Sequence, residues 1–293
     1  MDNSNIAKRM KKYEAVHKSV LMTRMPSSFV FDGKAFHTFT RGFKRPFDDV
    51  LIMTMQETAK YLCENIQGCS LAYTQSDEIS LLLIDYQRFE TSAWFDYEIQ
   101  KMCSISASMA TMTFNKLFDA FVKKENDIFS DEQLENGEYN PNYKNKELIN
   151  LWSIHKSSIE KEAMFDSRVF NIPREEVCNY FYWRQLDASR NSIQMVGQAN
   201  FSHRELQFKS CNDIQDMLMT QKGINWNDFP TYQKRGSCVV RNKIVLESDD
   251  VKETCMLHDP KQGENNWIID KDIPIFKGDG RKYIEQFVNM GEK

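Results

Sequence analysis

The sequence predicts an α+β protein built round a ferredoxin-like β-α-β-β-α-β unit. Three observations carry that expectation. Short runs rich in apolar, aromatic and β-branched residues fall at 28–32, 69–73, 79–84 and 167–172. A helical stripe separates the first run from the second, and a long stretch free of Pro and Gly, Ala93 to about Val122, separates the third from the fourth. Only a polar turn, Thr74–Glu78, lies between the second and third. Elements in that order make one sheet with two helices on a face.

Each element has its own local reason. Ser28-Phe29-Val30-Phe31-Asp32 is a strand closed by Gly33. Asp48 or Asp49 is placed to cap a helix whose apolar positions run from Val50 through Leu62 to about Asn65, with Gly68 past its end. Cys69–Tyr73 and Ile79–Ile84 form a hairpin, and the second run is apolar almost throughout, as for a strand buried on both faces. Pro173 stops the fourth strand. The first and third strands are central neighbours in this topology, so Asp32 and Asp77 are expected at one edge of the sheet.

The chain divides into residues 1–172, a catalytic core, and 173–293, a helical and hairpin part packed on it. Residues 123–163 read as a charged, solvated insertion holding a short helix around Lys146–Ile154. Glu175–Val196 and Ser210–Gln221 read as helices, and Val239–Leu246 as a basic hairpin.

Composition bounds the function. The chain has 293 residues, 41% hydrophobic and 27% charged, with a net charge of −4. The negative balance argues against a passive nucleic-acid coat, whose affinity comes from a large positive field. No run approaches a membrane span. The basic stretch 8–24 reads as a solvated first helix. The seven cysteines include no C-x-x-C pair and the five histidines show no metal-ligand spacing, so free thiols in a reducing cytoplasm are expected. P-loop, Rossmann, zincin and α/β-hydrolase motifs are absent from the sequence.

Two carboxylates on rigid strand ends suit a two-metal site, in which paired Mg²⁺ ions clamp the attacking and leaving oxygens of a transferring phosphate. Gly33 would allow close backbone approach there. Lys34, Arg41, Lys44 and Arg45 flank Asp32 and offer phosphate contacts, and further cations follow at Arg184, Arg190, Arg204, Lys209, Lys234 and Arg235.

At this point the residues resemble a known family. Asp32-Gly33-Lys34-Ala35-Phe36-His37, Arg45-Pro46-Phe47-Asp48, Tyr73-Thr74-Gln75-Ser76-Asp77-Glu78, Phe165-Asp166-Ser167-Arg168-Val169, Tyr182-Trp183-Arg184-Gln185-Leu186-Asp187 and Tyr232-Gln233-Lys234-Arg235-Gly236-Ser237 resemble, in order, segments of the histidine-tRNA guanylyltransferase family. The resemblance implies a polymerase-type palm that adds nucleotides to the 5′ end of a tRNA in the 3′-to-5′ direction. It implies two Mg²⁺ ions held by Asp32, the Gly33 backbone and Asp77, and Asp32, Asp77 and Glu78 as catalytic carboxylates. ATP and GTP or other nucleoside triphosphates would be bound by Asp32 through His37, Arg45, Ser76, Asp77 and Lys101. The tRNA would meet Arg184, Arg190, Asn191, Lys234 and Arg235, and the protein would be a cytoplasmic homotetramer.

Departures sharpen the resemblance. Ser189-Arg190-Asn191-Ser192 stands where eukaryotic members carry H-I-N-N, Arg45 replaces a lysine, and Tyr97 and Glu98 stand where basic residues are common. Ala188–Met195 and Phe201-Ser202-His203 are similar to the bacterial and archaeal branch, which is associated with templated 5′-end repair of tRNA. Two other classes stay open on the residues alone: a palm-type nucleotide cyclase, and a non-catalytic RNA-binding module of the same topology.

Overall fold

The structure, a computed structural model, describes residues 4–132, 134–135, 138–139, 146–241 and 267–289. Its centre is a six-stranded sheet of β1 (Ser27–Gly33), β2 (Cys69–Gln75), β3 (Glu78–Leu83), β4 (Phe165–Asn171), β5 (Ser237–Arg241) and β6 (Trp267–Asp270). The strands lie in the order β4-β1-β3-β2-β5-β6, and every neighbouring pair is antiparallel. The first four are the predicted ferredoxin-like unit. β5 and β6 lengthen the same sheet beyond β2, so the C-terminal part shares the core's sheet instead of only resting on it. Residues 242–246 of the expected basic hairpin lie outside the described residues.

Alternation sorts the side chains. Phe29 and Phe31 of β1 and Ile79, Leu81 and Leu83 of β3 enter one core with α2 (Asp49–Asn65) and α3 (Ile99–Glu132). Leu82 faces the other side, where Val177 and Phe181 of α5 (Arg174–Asn200) and Ile284 and Phe287 of the last helix close a second core. The sheet is thus covered on both faces, which explains the near-continuous apolar run in β3. An aromatic stack of Phe36, Phe39, Phe114, Phe118 and Phe165, with neighbouring centroids 5.2–5.9 Å apart, ties the loop after β1 to α3.

α2 begins where its capping residue requires. Asp48 Oδ1 accepts the Leu51 amide at 3.0 Å, and Asp49 supplies a negative charge in the first turn. α5 starts directly after Pro173, with Glu175 and Glu176 supplying negative charge in its first turn. The basic N-terminal helix α1 (Asn5–Ala15) buries nothing, as expected of a solvated element.

Residues 123–163 depart from the solvated excursion expected of them. α3 continues to Glu132, and α4 (Lys146–Ile159) docks on the core with His155 and Ser158 fully buried. His155 Nε2 lies 2.9 Å from Asp48 Oδ2, and the Ser158 hydroxyl donates to the Phe39 carbonyl at 2.9 Å. These polar partners are remote in sequence, so periodicity could not reveal them.

Candidate active site

The carboxylates meet at the edge where β1 ends and the β2–β3 hairpin turns. Asp32 and Glu78 are register partners across β1 and β3. Asp77 sits in the two-residue turn, and its carbonyl accepts the Gly33 amide at 3.2 Å. Ser76 adopts φ 50°, a left-handed conformation uncommon outside glycine, and its hydroxyl donates to Asp77 Oδ1 at 3.0 Å. The hairpin therefore holds the Asp77 carboxylate by its own turn geometry.

The electrostatics identify this edge as anionic and under-compensated. Burial raises the Asp77 carboxyl above its usual range, against the Ser76 hydrogen bond, and the charge of Asp32 adds to the rise. Burial likewise lifts Glu78 to about 7, with Arg184 opposing and Asp32, Asp77 and Asp187 reinforcing. Arg184 Nε is 3.0 Å from Glu78 Oε1, and Arg184 Nη1 donates to Oε2 at 3.2 Å. On the other flank, Arg168 Nη2 donates to Asp32 Oδ2 at 3.2 Å while its Nε donates to Asp166 Oδ1 at 3.2 Å. Arg168 and Asp166 belong to this cluster as much as Asp32 does. Both lie at alternate positions of β4, the signal that places them on one face with Asp32.

Beside the carboxylates opens a cleft of about 490 Å³, walled by His37, Arg41, Lys44, Arg45, Ser76 and Asp77 among others. The cations of the loop after β1 thus converge on the Asp77 turn, a juxtaposition suited to a polyphosphate next to a pair of carboxylates. A narrower cavity adjoins it, with Gln75, Asn191, Tyr232 and Gly236 in its wall.

The placement gives several of these residues a structural part as well. A Cβ on Gly33 would lie 2.1 Å from the Phe36 ring, so the glycine is required by Phe36 folding back over the strand end. Phe36 itself is mostly buried in the aromatic stack, with its remaining surface in the wall of the cleft. Ala35 (φ 52°) supplies the sharp turn, and the amide of exposed Lys34 donates to the Met164 carbonyl at 2.8 Å.

Lys101 is not at this edge. Its helix runs along β4 so that Thr111 Oγ1 accepts the Phe165 amide at 3.1 Å, level with Gly33. Lys101 lies ten residues earlier, about 15 Å back along α3, with Nζ 3.2 Å from Glu98.

Of the residues expected to meet tRNA, Arg184 is committed to Glu78 and stacked 4.3 Å over the Trp183 ring. Arg190 and Asn191 reach Asp187 at 3.4 and 3.3 Å. Lys234 donates to the Asn227 carbonyl, and the Arg235 carbonyl accepts the Tyr73 hydroxyl at 2.6 Å. Gly236 is locked in place, since a Cβ there would sit 2.5 Å from the Thr74 carbonyl oxygen at φ 80°. The 231–236 segment is therefore fastened to the back of the hairpin that carries Asp77.

An antiparallel 4-1-3-2 sheet with paired acids at its edge and a cationic cleft alongside defines a palm-type nucleotidyltransferase. Comparison with known proteins makes this specific. The family profile described as tRNAHis guanylyltransferase matches residues 7–173, and the chain belongs to that family. It is similar to a solved bacterial tRNA(His) guanylyltransferase (Thg1)-like protein in complex with ATP: 39% identity, covering 98% of this chain and 100% of that one, with a TM-score of 0.73. A counterpart in complex with GTP matches at 36% identity and a TM-score of 0.70, with 98% of this chain and 100% of that one covered. Among relatives, the tRNA(His) guanylyltransferase of Saccharomyces cerevisiae is 25% identical over 229 residues, 73% of this chain and 82% of that one. An uncharacterised protein of Acanthamoeba polyphaga mimivirus is 26% identical over 266 residues, 86% of this chain and 82% of that one.

Proposed function

We propose that this chain extends the 5′ end of a truncated tRNA in the 3′-to-5′ direction, taking ATP, GTP or other nucleoside triphosphates with the help of two Mg²⁺ ions. The observation that carries the reading is the convergence of Asp32 and Asp77 at one sheet edge with the Arg41–Arg45 cations in the adjoining cleft. The ATP- and GTP-bound bacterial proteins, which it resembles over nearly their whole length, supply the nucleotide class.

The donor set fits Mg²⁺. Both side chains are hard oxygen ligands. A site with few protein ligands that leaves the rest to phosphates and water is the usual Mg²⁺ arrangement. The raised Asp77 and Glu78 carboxyls mark an edge that gains from added positive charge. Asp32, the Gly33 backbone and Asp77 would hold the metal, which supplies Lewis-acid stabilisation of charge on the transferring phosphorus.

The chain's own residues do the rest. Arg41, Lys44 and Arg45 bind the polyphosphate and orient it toward Asp77. Arg184 holds Glu78 in place under the hairpin, and Arg168 releases Asp32 as the substrate's charges arrive. The same reading places the protein in the cytoplasm, consistent with the free thiols of the described cysteines, as a homotetramer. The decisive assay is incorporation of labelled nucleotide into a panel of 5′-truncated tRNAs with matched or mismatched opposing bases. Extension that needs Mg²⁺ and prefers matched ends is expected; cyclic dinucleotide as the product, or RNA binding without incorporation, would overturn the reading.

A further inference from the structure

A second cleft, of about 560 Å³, lies beside the first and shares Arg45 and Gln198 with it. Its floor is built from Phe201, Leu206 and Ile214. That floor is held tight against α5, because a Cβ on Gly197 would meet Ile214 at 2.8 Å and Leu206 at 3.4 Å. From its rim projects Phe208, 96% exposed and in a left-handed backbone conformation of φ 63°. A bulky residue at positive φ is an outlier, and here it aims a ring into solvent where it buries nothing.

Around this ring the acids are turned onto the helix caps while the cations point outward. Between Phe201 and Asp213 the acids are Glu205 and Asp213, and each is bonded back to the serine that caps its own helix. Glu205 accepts the Ser202 amide and hydroxyl at 2.8 and 2.6 Å, and Asp213 accepts the Ser210 amide and hydroxyl, both at 2.8 Å. The side chains of Arg204 and Lys209 stay exposed beside His203, and Lys222 Nζ lies 5.3 Å over the Phe201 ring. An exposed ring amid cations is how single-stranded nucleic acid is gripped: the base stacks and the backbone phosphate is neutralised.

We propose that this cleft is a second nucleotide-binding site, distinct from the triphosphate cleft, that takes an unpaired terminal nucleotide of the RNA being extended. The base stacks on Phe208, and its phosphates meet Lys209, His203 and the shared Arg45. Arg45 would then bridge the two substrates, with triphosphate on one side and RNA on the other. Stacking needs a free base face, so a fully paired end is bound less well. The proposal rests on the reading of this chain as a tRNA-extending enzyme.

The test separates the two. In a Phe208→Trp variant, the new indole should be quenched by a tRNA transcript carrying an unpaired terminal nucleotide, less by a fully paired one, and not by ATP or GTP. Phe208→Ala and Lys209→Glu should each raise KM for that tRNA about 10-fold, with kcat and KM for nucleotide unchanged and the melting temperature unmoved. Normal tRNA KM in both variants, with no tRNA-dependent quenching, overturns the site while leaving the activity standing. Failure of the unmodified protein to extend any tRNA overturns the activity itself, and quenching by RNA can still be read. Indole fluorescence of the Phe208→Trp variant that changes with protein concentration alone means a second copy of the chain covers the ring, and also overturns the proposal.

Discussion

The turn at Asp48 and the hairpin at Asp77–Glu78 each bury carboxylates against the same sheet, with opposite electrostatic results. Asp48 is 5% exposed. Burial alone would raise its carboxyl, but the hydrogen bond and charge of His155, with the Leu51 and Lys44 amides, bring it below the usual range. Asp77 and Glu78 are less buried by exposed area, yet burial raises both, since the Ser76 hydrogen bond on Asp77 and Arg184 beside Glu78 do not offset it and the charge of Asp32 adds to the rise. The first site is a completed contact that fastens α2 and α4. The second is left with more negative charge than the chain neutralises, which is what a site awaiting cations and phosphate requires.

This contrast can be broken by mutation. The largest expected effect is on chemistry: Asp32→Ala and Asp77→Ala should each lower nucleotide incorporation by roughly 10²–10³-fold or more, with little change in melting temperature. Full incorporation by either variant would remove the carboxylate pair from the mechanism. Asp48→Ala should do the reverse. Loss of a buried charge partner and a helix cap is worth about 3–5 kcal/mol, visible as a fall of roughly 10 °C in thermal unfolding. An unchanged midpoint would mean that the His155 pair contributes little.

The pH dependence should separate the sites by sign. Glu78 has a folded pKa of about 7 against an ordinary 4.5, so the folded state holds its proton longer than the unfolded chain. Its contribution to stability is present below about 4.5 and is lost as pH rises through 7. In EDTA the melting temperature should therefore decline from pH 5 to 7.5, Glu78→Gln should flatten the decline, and Mg²⁺ should offset it. For Asp48 the folded value is depressed, so its contribution is present above the unfolded pKa and is lost as pH falls through the folded one. An acid-unfolding limb that Asp48→Asn shifts to higher pH would show this.

The smallest effect is expected at Lys101. Its place at the far end of α3, paired with Glu98, predicts that Lys101→Ala changes KM for nucleotide by less than about twofold, in the range of exposed ion pairs. A loss of tenfold or more would mean that Lys101 of another subunit reaches the site.

Much of the fold was legible along the chain because its signals are local. Alternation in β1, the two-residue turn between β2 and β3, the Asp48 cap and the Gly- and Pro-free run of α3 are written in neighbouring residues. The Asp32–Asp77 pair followed from the topology these elements imply. What stayed hidden depends on partners more than 100 residues apart: Arg168 on Asp32, Arg184 on Glu78, His155 on Asp48. Residues 146–159 carry polar side chains that read as solvated until α4 is placed against the core.

The sequence by itself determined the sheet's first four strands, the two helices on one face and the carboxylates at its edge, since backbone periodicity and turn chemistry act over a few residues. Only the tertiary structure decided which carboxylates are satisfied and which are not. It gave Arg184 the Glu78 carboxylate as a partner, set Lys101 back along α3 beside Glu98, sent Phe36 into the core and set Phe208 out in solvent. The physical reason is that burial and charge are sums over everything that folds against a residue, and those neighbours arrive from all along the chain.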